Sequence, residues 1–389
     1  MKISIHKKAY WKTKTLGDIC DIQTGKWDAN HAVINGKYRF YTCAYKYTFC
    51  NTKRFVGECL ILPGNGVNVG EIFYYQGKFD AYQRTYVINN IKISPKILYY
   101  QLLCFWKERN LNKQFGSATN YLKIGNFLNY EIYYPESRSE QYRIVKVLDK
   151  VFEKTVKIKE NSEKNLQNSK NLFESYLQSI FTNPGKDWEE KRFDEIIKSN
   201  VIGLVKNIKE QSAYKKYKYV KMNNITRDNN FDFSKYTRVN ATKEEVEKYN
   251  LIKGDFLFNT RNSYELVGKT CIFEGNDEKD ILFNNNIMRV RFTKTCNSHF
   301  INYAFSSRII INKIKHFKSG TTNVSAIYYK DLKTLVLPIP SITVQNSIVS
   351  KLDALSTETK RLESIYKQKL ADLEELKRSI LKSAFNGEL

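Results

Sequence analysis

Gln141-Tyr142-Arg143-Ile144-Val145-Lys146-Val147-Leu148-Asp149 and Gln345-Asn346-Ser347-Ile348-Val349-Ser350-Lys351-Leu352-Asp353 are one phrase written twice, at an offset of 204 residues. Gln141, Ile144, Val145, Leu148 and Asp149 meet identical residues in the second copy. The same offset brings Ser175, Leu177, Ser179 and Phe181 onto Ser379, Leu381, Ser383 and Phe385, with no insertion between the matched blocks. Solenoid repeats recur every ~20–50 residues, so a period this long duplicates whole domains.

Between the matched blocks the apolar spacing is helical. Leu148, Val151, Thr155 and Ile158 in one copy and Leu352, Leu355, Thr359 and Leu362 in the other recur at steps of three and four. Each run follows a proline-bearing strand end, Tyr133-Tyr134-Pro135 and Val336-Leu337-Pro338-Ile339-Pro340, and no proline interrupts the first before Pro184. Two helices of about 40 residues, roughly 60 Å at 1.5 Å per residue, are expected. Equal length and register favour burial against each other as an antiparallel coiled coil with a pseudo-twofold relation between the halves. Leu148, Val151, Ile158 and Leu177 are expected at that interface from the first helix, with Leu352, Leu355, Leu362 and Leu381 from the second. Packing of each helix on its own domain stays open.

On either side of these helices, residues 1–134 and 186–337 read as two domains, with helices over 135–185 and 338–389. Short β-branched and aromatic runs, Phe55 to Leu62, Tyr82 to Ile88, Asp255 to Phe258 and Ile287 to Phe292, alternate with Gly and Asn turns. Helical stretches are expected at Ile97–Asn112 and His299–Phe317. The fold class is α+β: two mixed α/β domains separated by the long helices.

The 389-residue chain carries a net charge of +24, and the charge is concentrated in the two domains. Residues 1–134 hold 19 basic against 8 acidic side chains and 186–337 hold 28 against 18, while the helical segments are nearly neutral. Such blocks favour a polyanionic partner through counterion release, with DNA, RNA and acidic membrane all open at this point. No run reaches the roughly 18 apolar residues of a membrane span, and Met1 to Lys8 lacks an apolar signal core, so a cytoplasmic location without membrane association is expected. Seven cysteines without a C-x-x-C pair suit reduced thiols rather than zinc.

The openings at Trp11 and Trp188, the strand phrases Gly57-Glu58-Cys59-Leu60-Ile61 and Gly254-Asp255-Phe256-Leu257-Phe258, and the Thr-Asn pairs at Thr119-Asn120 and Thr322-Asn323 are shared by both halves. Together with the ending Arg378 to Leu389 they resemble the specificity subunits of type I restriction-modification systems, over essentially the whole chain. The resemblance implies that each domain recognises one half of a split target in double-stranded DNA and that the helices fix the gap. It implies two methyltransferase subunits around the helices and restriction (motor-nuclease) subunits joining them. S-adenosylmethionine, ATP and Mg would then reside on those partners, with no cofactor or metal on this chain.

A DNA reader needs Arg, Lys, Asn and Gln on exposed loops to match base edges, and other polar groups to hold phosphates. In the first half the candidates are Asn65 and Asn68 in a glycine-rich turn, Lys78, Gln83, Arg84, Thr119 and Asn120. In the second they are Arg261, Asn262 and Lys269, the Asn284-Asn285-Asn286 run, and Thr322 and Asn323. Asn65 and Asn68 equally suit a hairpin turn, Arg84 and Arg261 a solvated surface, and the Thr-Asn pairs a cap.

Catalytic patterns are missing. The nearest approach to an Asn-Pro-Pro-aromatic methyltransferase motif is Asn183-Pro184-Gly185, and Gly268-Lys269-Thr270 lacks the first glycine of a phosphate-binding loop, having Ser263 there. Glu189-x-Lys191 has no Pro-Asp neighbour, and the four histidines form no spaced cluster. A stand-alone regulator of a bipartite operator and an RNA-binding scaffold remain as alternatives.

Overall fold

The computed structural model describes residues 10–110, 120–275 and 280–389. The chain divides into two compact units, one of residues 1–164 with 366–389 and the other of residues 165–365. Both long helices, Arg138–Thr182 and Ile342–Asn386, therefore contribute to both units.

In the first unit a six-stranded sheet has the order Asp21–Thr24, Thr85–Asn89, Phe55–Pro63, Phe73–Ala81, Tyr38–Tyr41, Thr48–Cys50. Helix Pro95–Asn110 packs on it around Trp106, and a separate pair joins Trp11–Thr15 to Glu131–Pro135. In the second unit the corresponding four strands stand in the same order: Ile197–Ile202, Ile287–Phe292, Asp255–Asn259, Thr270–Phe273. Glu189–Arg192 pairs with Val336–Ile339, as the opening strand of the first unit pairs with Glu131–Pro135. The helix expected over His299–Phe317 is two helices, Ser298–Ser306 and Arg308–Lys315. Fully buried Ser307 separates them, its hydroxyl accepting from Ile310 N as the N-cap of the second.

The repeated phrase roots each long helix in its domain. Gln141, 1% exposed, donates from Nε2 to Pro135 O (2.8 Å) and accepts at Oε1 from Ser94 N (2.9 Å). Gln345, 0% exposed, donates to Pro340 O (2.8 Å) and Thr295 O (3.0 Å) and accepts from Asn297 N (2.8 Å). About two helical turns further on, Tyr100 donates to Asp149 Oδ1 (2.6 Å) and Tyr303 to Asp353 Oδ1 (2.5 Å). Leu148 and Leu352 are both fully buried. A glutamine side chain serves here because it supplies donor and acceptor together, satisfying backbone groups that burial would otherwise orphan.

Each helix ends in a different core from the one where it begins. Ile144, Val145 and Leu148 belong to the first unit's core and Leu177 and Phe181 to the second's. Conversely, Val349 and Leu352 lie in the second core, and Leu381, Ala384 and Phe385 in the first. Trp11 meets Phe385 edge-on at 6.5 Å, and Trp188 meets Phe181 at 6.4 Å. Within the first unit the two helices run antiparallel, tied by Arg143 to Leu389 O (2.6 Å) and by Lys159 to Glu374 (3.5 Å).

The helix seam differs from the expected leucine stripe. Leu148, Thr155, Ser162 and Ser169 are buried at seven-residue steps. Thr155 donates to Phe152 O (2.9 Å), Ser162 to Ile158 O (2.7 Å) and Ser169 to Asn165 O (2.8 Å), so the hydroxyls satisfy themselves within their own helix. Ile158 is a correction: it is 37% exposed, because Thr155 and Ser162 occupy the seam on either side of it and turn it to the flank. Val151, Leu355 and Leu362 are half-buried.

Among the described residues no helix is long and apolar enough to cross a membrane, and no three His, Cys, Asp or Glu side chains are grouped to hold a metal ion. All seven cysteines are free; burial pushes the Cys20 and Cys104 thiols up to about 12.

Candidate nucleic-acid interface

Each domain gathers its loops at the end of one central strand. In the first unit this is the Pro63 end of Phe55–Pro63. Gly64 N donates to Arg84 O (2.9 Å), Leu122 N to Gly64 O (2.9 Å) and Gly66 N to Asn120 O (2.8 Å). Asn65 bridges to Tyr121, and Asn68 Nδ2 donates to Cys43 O (2.9 Å). Asn65, Asn68, Gln83, Arg84 and Asn120, scattered in sequence, thus share one rim. Gln83 Nε2 reaches Asp28 Oδ1 (3.0 Å), while Arg84 and Asn120 are exposed. Lys78 is exposed but lies opposite Val56, at the other end of the same strand. Thr119 lies outside the described residues.

The second unit repeats this frame at the Asn259 end of Asp255–Asn259. Thr260 N donates to Asn286 O (2.9 Å), Ile327 N to Thr260 O (2.9 Å) and Tyr264 N to Thr322 O (3.0 Å). Arg261–Asn262 pairs with Ser325–Ala326, which brings Arg261, Asn262, Asn285, Thr322 and Asn323 to one rim. Arg261, Thr322 and Asn323 are exposed; Asn262 bonds Asn259 Oδ1 (2.9 Å) and Asn285 is half-buried.

The turns Tyr82-Gln83-Arg84 and Asn284-Asn285-Asn286 are caged alike. Trp27 bridges Tyr82 in parallel and Leu204 bridges Asn284 in parallel. Tyr82 N donates to Tyr41 O (2.9 Å) and Asn284 N to Val220 O (3.0 Å); Thr85 N closes on Tyr82 O (2.8 Å) and Ile287 N on Asn284 O (3.0 Å). Gly25 and Gly203 lie against the two turns, and neither position has room for a side chain. A Cβ would stand 1.7 Å from Ala81 O at the first and 2.2 Å from Asn284 O at the second.

Two expected contacts are corrected by this geometry. Lys269 is turned inward, its ammonium donating to Met222 O (3.3 Å) and to Ile225 O, and burial lowers its pKa. It holds the segment after Tyr217–Val220 rather than offering charge to a phosphate. Asn284 is buried beneath its turn, leaving Asn285 and Asn286 nearer the surface. The Glu189-x-Lys191 pair closes on itself at 2.9 Å.

One rim element escaped the sequence reading. The turn between Tyr38–Tyr41 and Thr48–Cys50 touches the first rim through Cys43, whose Sγ donates to Arg84 O (3.3 Å). It presents Tyr45, 66% exposed, with Lys46 and Tyr47. Arg39 lies between Tyr47 and Tyr75, its guanidinium carbon 4.2 and 4.4 Å from the ring centres. The alternation Tyr45-Lys46-Tyr47 is the signal that would have found it.

A family model described as the type I restriction modification DNA specificity domain matches residues 9–168 and 185–374. The EcoDI type I restriction enzyme specificity subunit of Escherichia coli is 26% identical over 416 residues, spanning 97% of this chain and 88% of that protein. A putative specificity subunit of the MjaX type I restriction enzyme from Methanocaldococcus jannaschii is 28% identical over 49% of this chain and 45% of its own length. Among solved structures, a chain from work on complex assembly and conformational transition of the type I R-M system aligns over 98% of this chain and 99% of its own, with TM-score 0.73 and 17% identity. The HsdS subunit of Thermoanaerobacter tengcongensis aligns over 98% of each chain, with TM-score 0.58 and 16% identity. With both domains matched by the family model, and with both rims built on one frame, the chain belongs to the type I restriction-modification DNA specificity family.

Proposed function

We propose that this chain reads a split DNA target without catalysing a reaction, each rim contacting one half-site and the paired helices fixing the gap between them. Residues 1–134 and 186–337 serve as the two target-recognition domains, and 135–185 and 338–389 as the spacers. The carrying observation is the doubled rim: one backbone frame, two different sets of exposed polar tips. A net charge of +24 supplies the attraction for phosphates. Asn65, Gln83, Arg84 and Asn120 face the first half-site, and Arg261, Asn285, Thr322 and Asn323 the second.

Methylation and cleavage then fall to partners: two methyltransferase subunits carrying S-adenosylmethionine, and restriction subunits using ATP and Mg. The assembly acts in the cytoplasm. The test is single-molecule sequencing of methylated adenines in cells expressing this chain with its cognate methyltransferase, against cells lacking the chain. A bipartite motif that disappears with the chain is the expected result. An unchanged methylome beside an active methyltransferase would favour the stand-alone regulator.

A further inference from the structure

We propose that Arg84 and Asn286 are structurally equivalent specificity determinants, Arg84 selecting a guanine in one half-site and Asn286 an adenine in the other. This rests on the DNA-reading role above and gives it a base-level content.

The equivalence comes from the backbone. Arg84 O and Asn286 O each accept from the residue that follows the central strand, Gly64 and Thr260, both at 2.9 Å. Each residue is the last of a turn whose first residue is held by a parallel bridge and whose closing bond is 2.8 or 3.0 Å. The glycine against each turn, with backbone within 2.2 Å of a would-be Cβ, prevents the turn from sinking or shifting. Two side chains are thereby started from the same place in two copies of one frame.

The side chains themselves differ in chemistry. Among the described residues the Arg84 guanidinium has no hydrogen-bond partner, and the residue is exposed. Among the described residues the Asn286 carboxamide makes one hydrogen bond, Nδ2 to Met222 Sδ at 3.8 Å, and a thioether sulfur is a weak acceptor that a base edge would displace. A guanidinium fork matches O6 and N7 of guanine, and a carboxamide matches N6 and N7 of adenine. By contrast, Gln83 and Asn285, the middle residues, both carry amides, whereas the third residues offer a guanidinium in one half and a carboxamide in the other.

The test uses the chain in complex with its cognate methyltransferase, with motifs read from methylated genomes for wild type, R84N and N286R. R84N is expected to relax one guanine position of the first half-site and leave the second half-site unchanged. N286R is expected to alter one adenine position of the second half-site alone. On the original duplex each variant should lose about tenfold to a hundredfold in binding, the range of a good bidentate base contact. A variant whose genome carries no mark is carried to competition binding against duplexes substituted one base pair at a time. A substituted duplex bound as well as the original, or better, supports the assignment; an order of preference unchanged from wild type overturns it, as does a motif left unchanged by either substitution. A wild-type complex that leaves no bipartite mark would remove the DNA-reading role itself, a failure separate from an unchanged motif.

Discussion

The helix roots and the loop rims have fared differently since the two halves arose from one. At the roots, residue type and bond are both retained: Gln141 and Gln345 clasp the same kind of partners, and Tyr100 and Tyr303 donate to matching aspartates. At the rims the backbone bonds are retained, while most of the side chains that leave the frame have changed, Asn120 and Asn323 being a residue type that both halves keep. A buried side chain answers to fixed neighbours, whereas a rim side chain answers to a ligand that differs between half-sites. The contrast separates residues that hold position from residues that make a choice.

That contrast can be broken at the roots. The largest effect is expected from Leu148→Ala and Leu352→Ala, each removing a fully buried side chain at about 2–5 kcal/mol. Denaturant midpoints of the two variants should fall by similar amounts; a shift in only one would show that the roots are not equivalent. Next come Gln141→Leu and Gln345→Leu, which leave buried backbone groups without partners at about 1–3 kcal/mol in each variant, the burial of the new leucine offsetting part of the loss. Thermal unfolding should register both, while the methylated motif keeps its bases, since neither glutamine reaches a rim. A change of recognised base in either variant would merge the two classes that the comparison keeps apart.

The smallest effect concerns the tyrosines. Burial, then the bond to a carboxylate, raises the pKa of Tyr100 beside Asp149 and of Tyr303 beside Asp353 above the ordinary 10.0. A phenol whose folded pKa exceeds its unfolded value contributes stability that is intact below pH 10 and lost as pH rises beyond it. The double variant Tyr100→Phe, Tyr303→Phe should lose about 1 kcal/mol per hydroxyl at neutral pH and show a shallower decline above pH 10 than wild type. An equal slope in urea titrations across that range would deny the two hydroxyls this role.

Much of this was legible in the sequence because burial at the helix roots constrains residue type. The matched Gln, Leu, Asp and Phe positions, the proline-bearing strand ends and the length of the helices follow from that pattern. The seam was less legible: a three-and-four spacing does not reveal that Thr155 and Ser162 take the buried positions and leave Ile158 at the flank. Ser307 breaks a helix with no proline or glycine to announce it. The rim equivalence is hidden because loop lengths differ, so that Gly64 answers to Thr260 while Leu122 answers to Ile327, and no single offset aligns both. Lys269 looked like any exposed lysine until the carbonyls around it were placed.

The reciprocal ownership of helix ends also bears on how the chain is born. Domains ordinarily fold from the N-terminal side as synthesis proceeds. Here the first core contains Leu381, Ala384 and Phe385, with Phe385 against Trp11. While the second half is still being translated, the nascent first domain therefore carries an apolar cleft with its natural filler not yet made. Completion of the first core is thereby postponed until the second domain has been made.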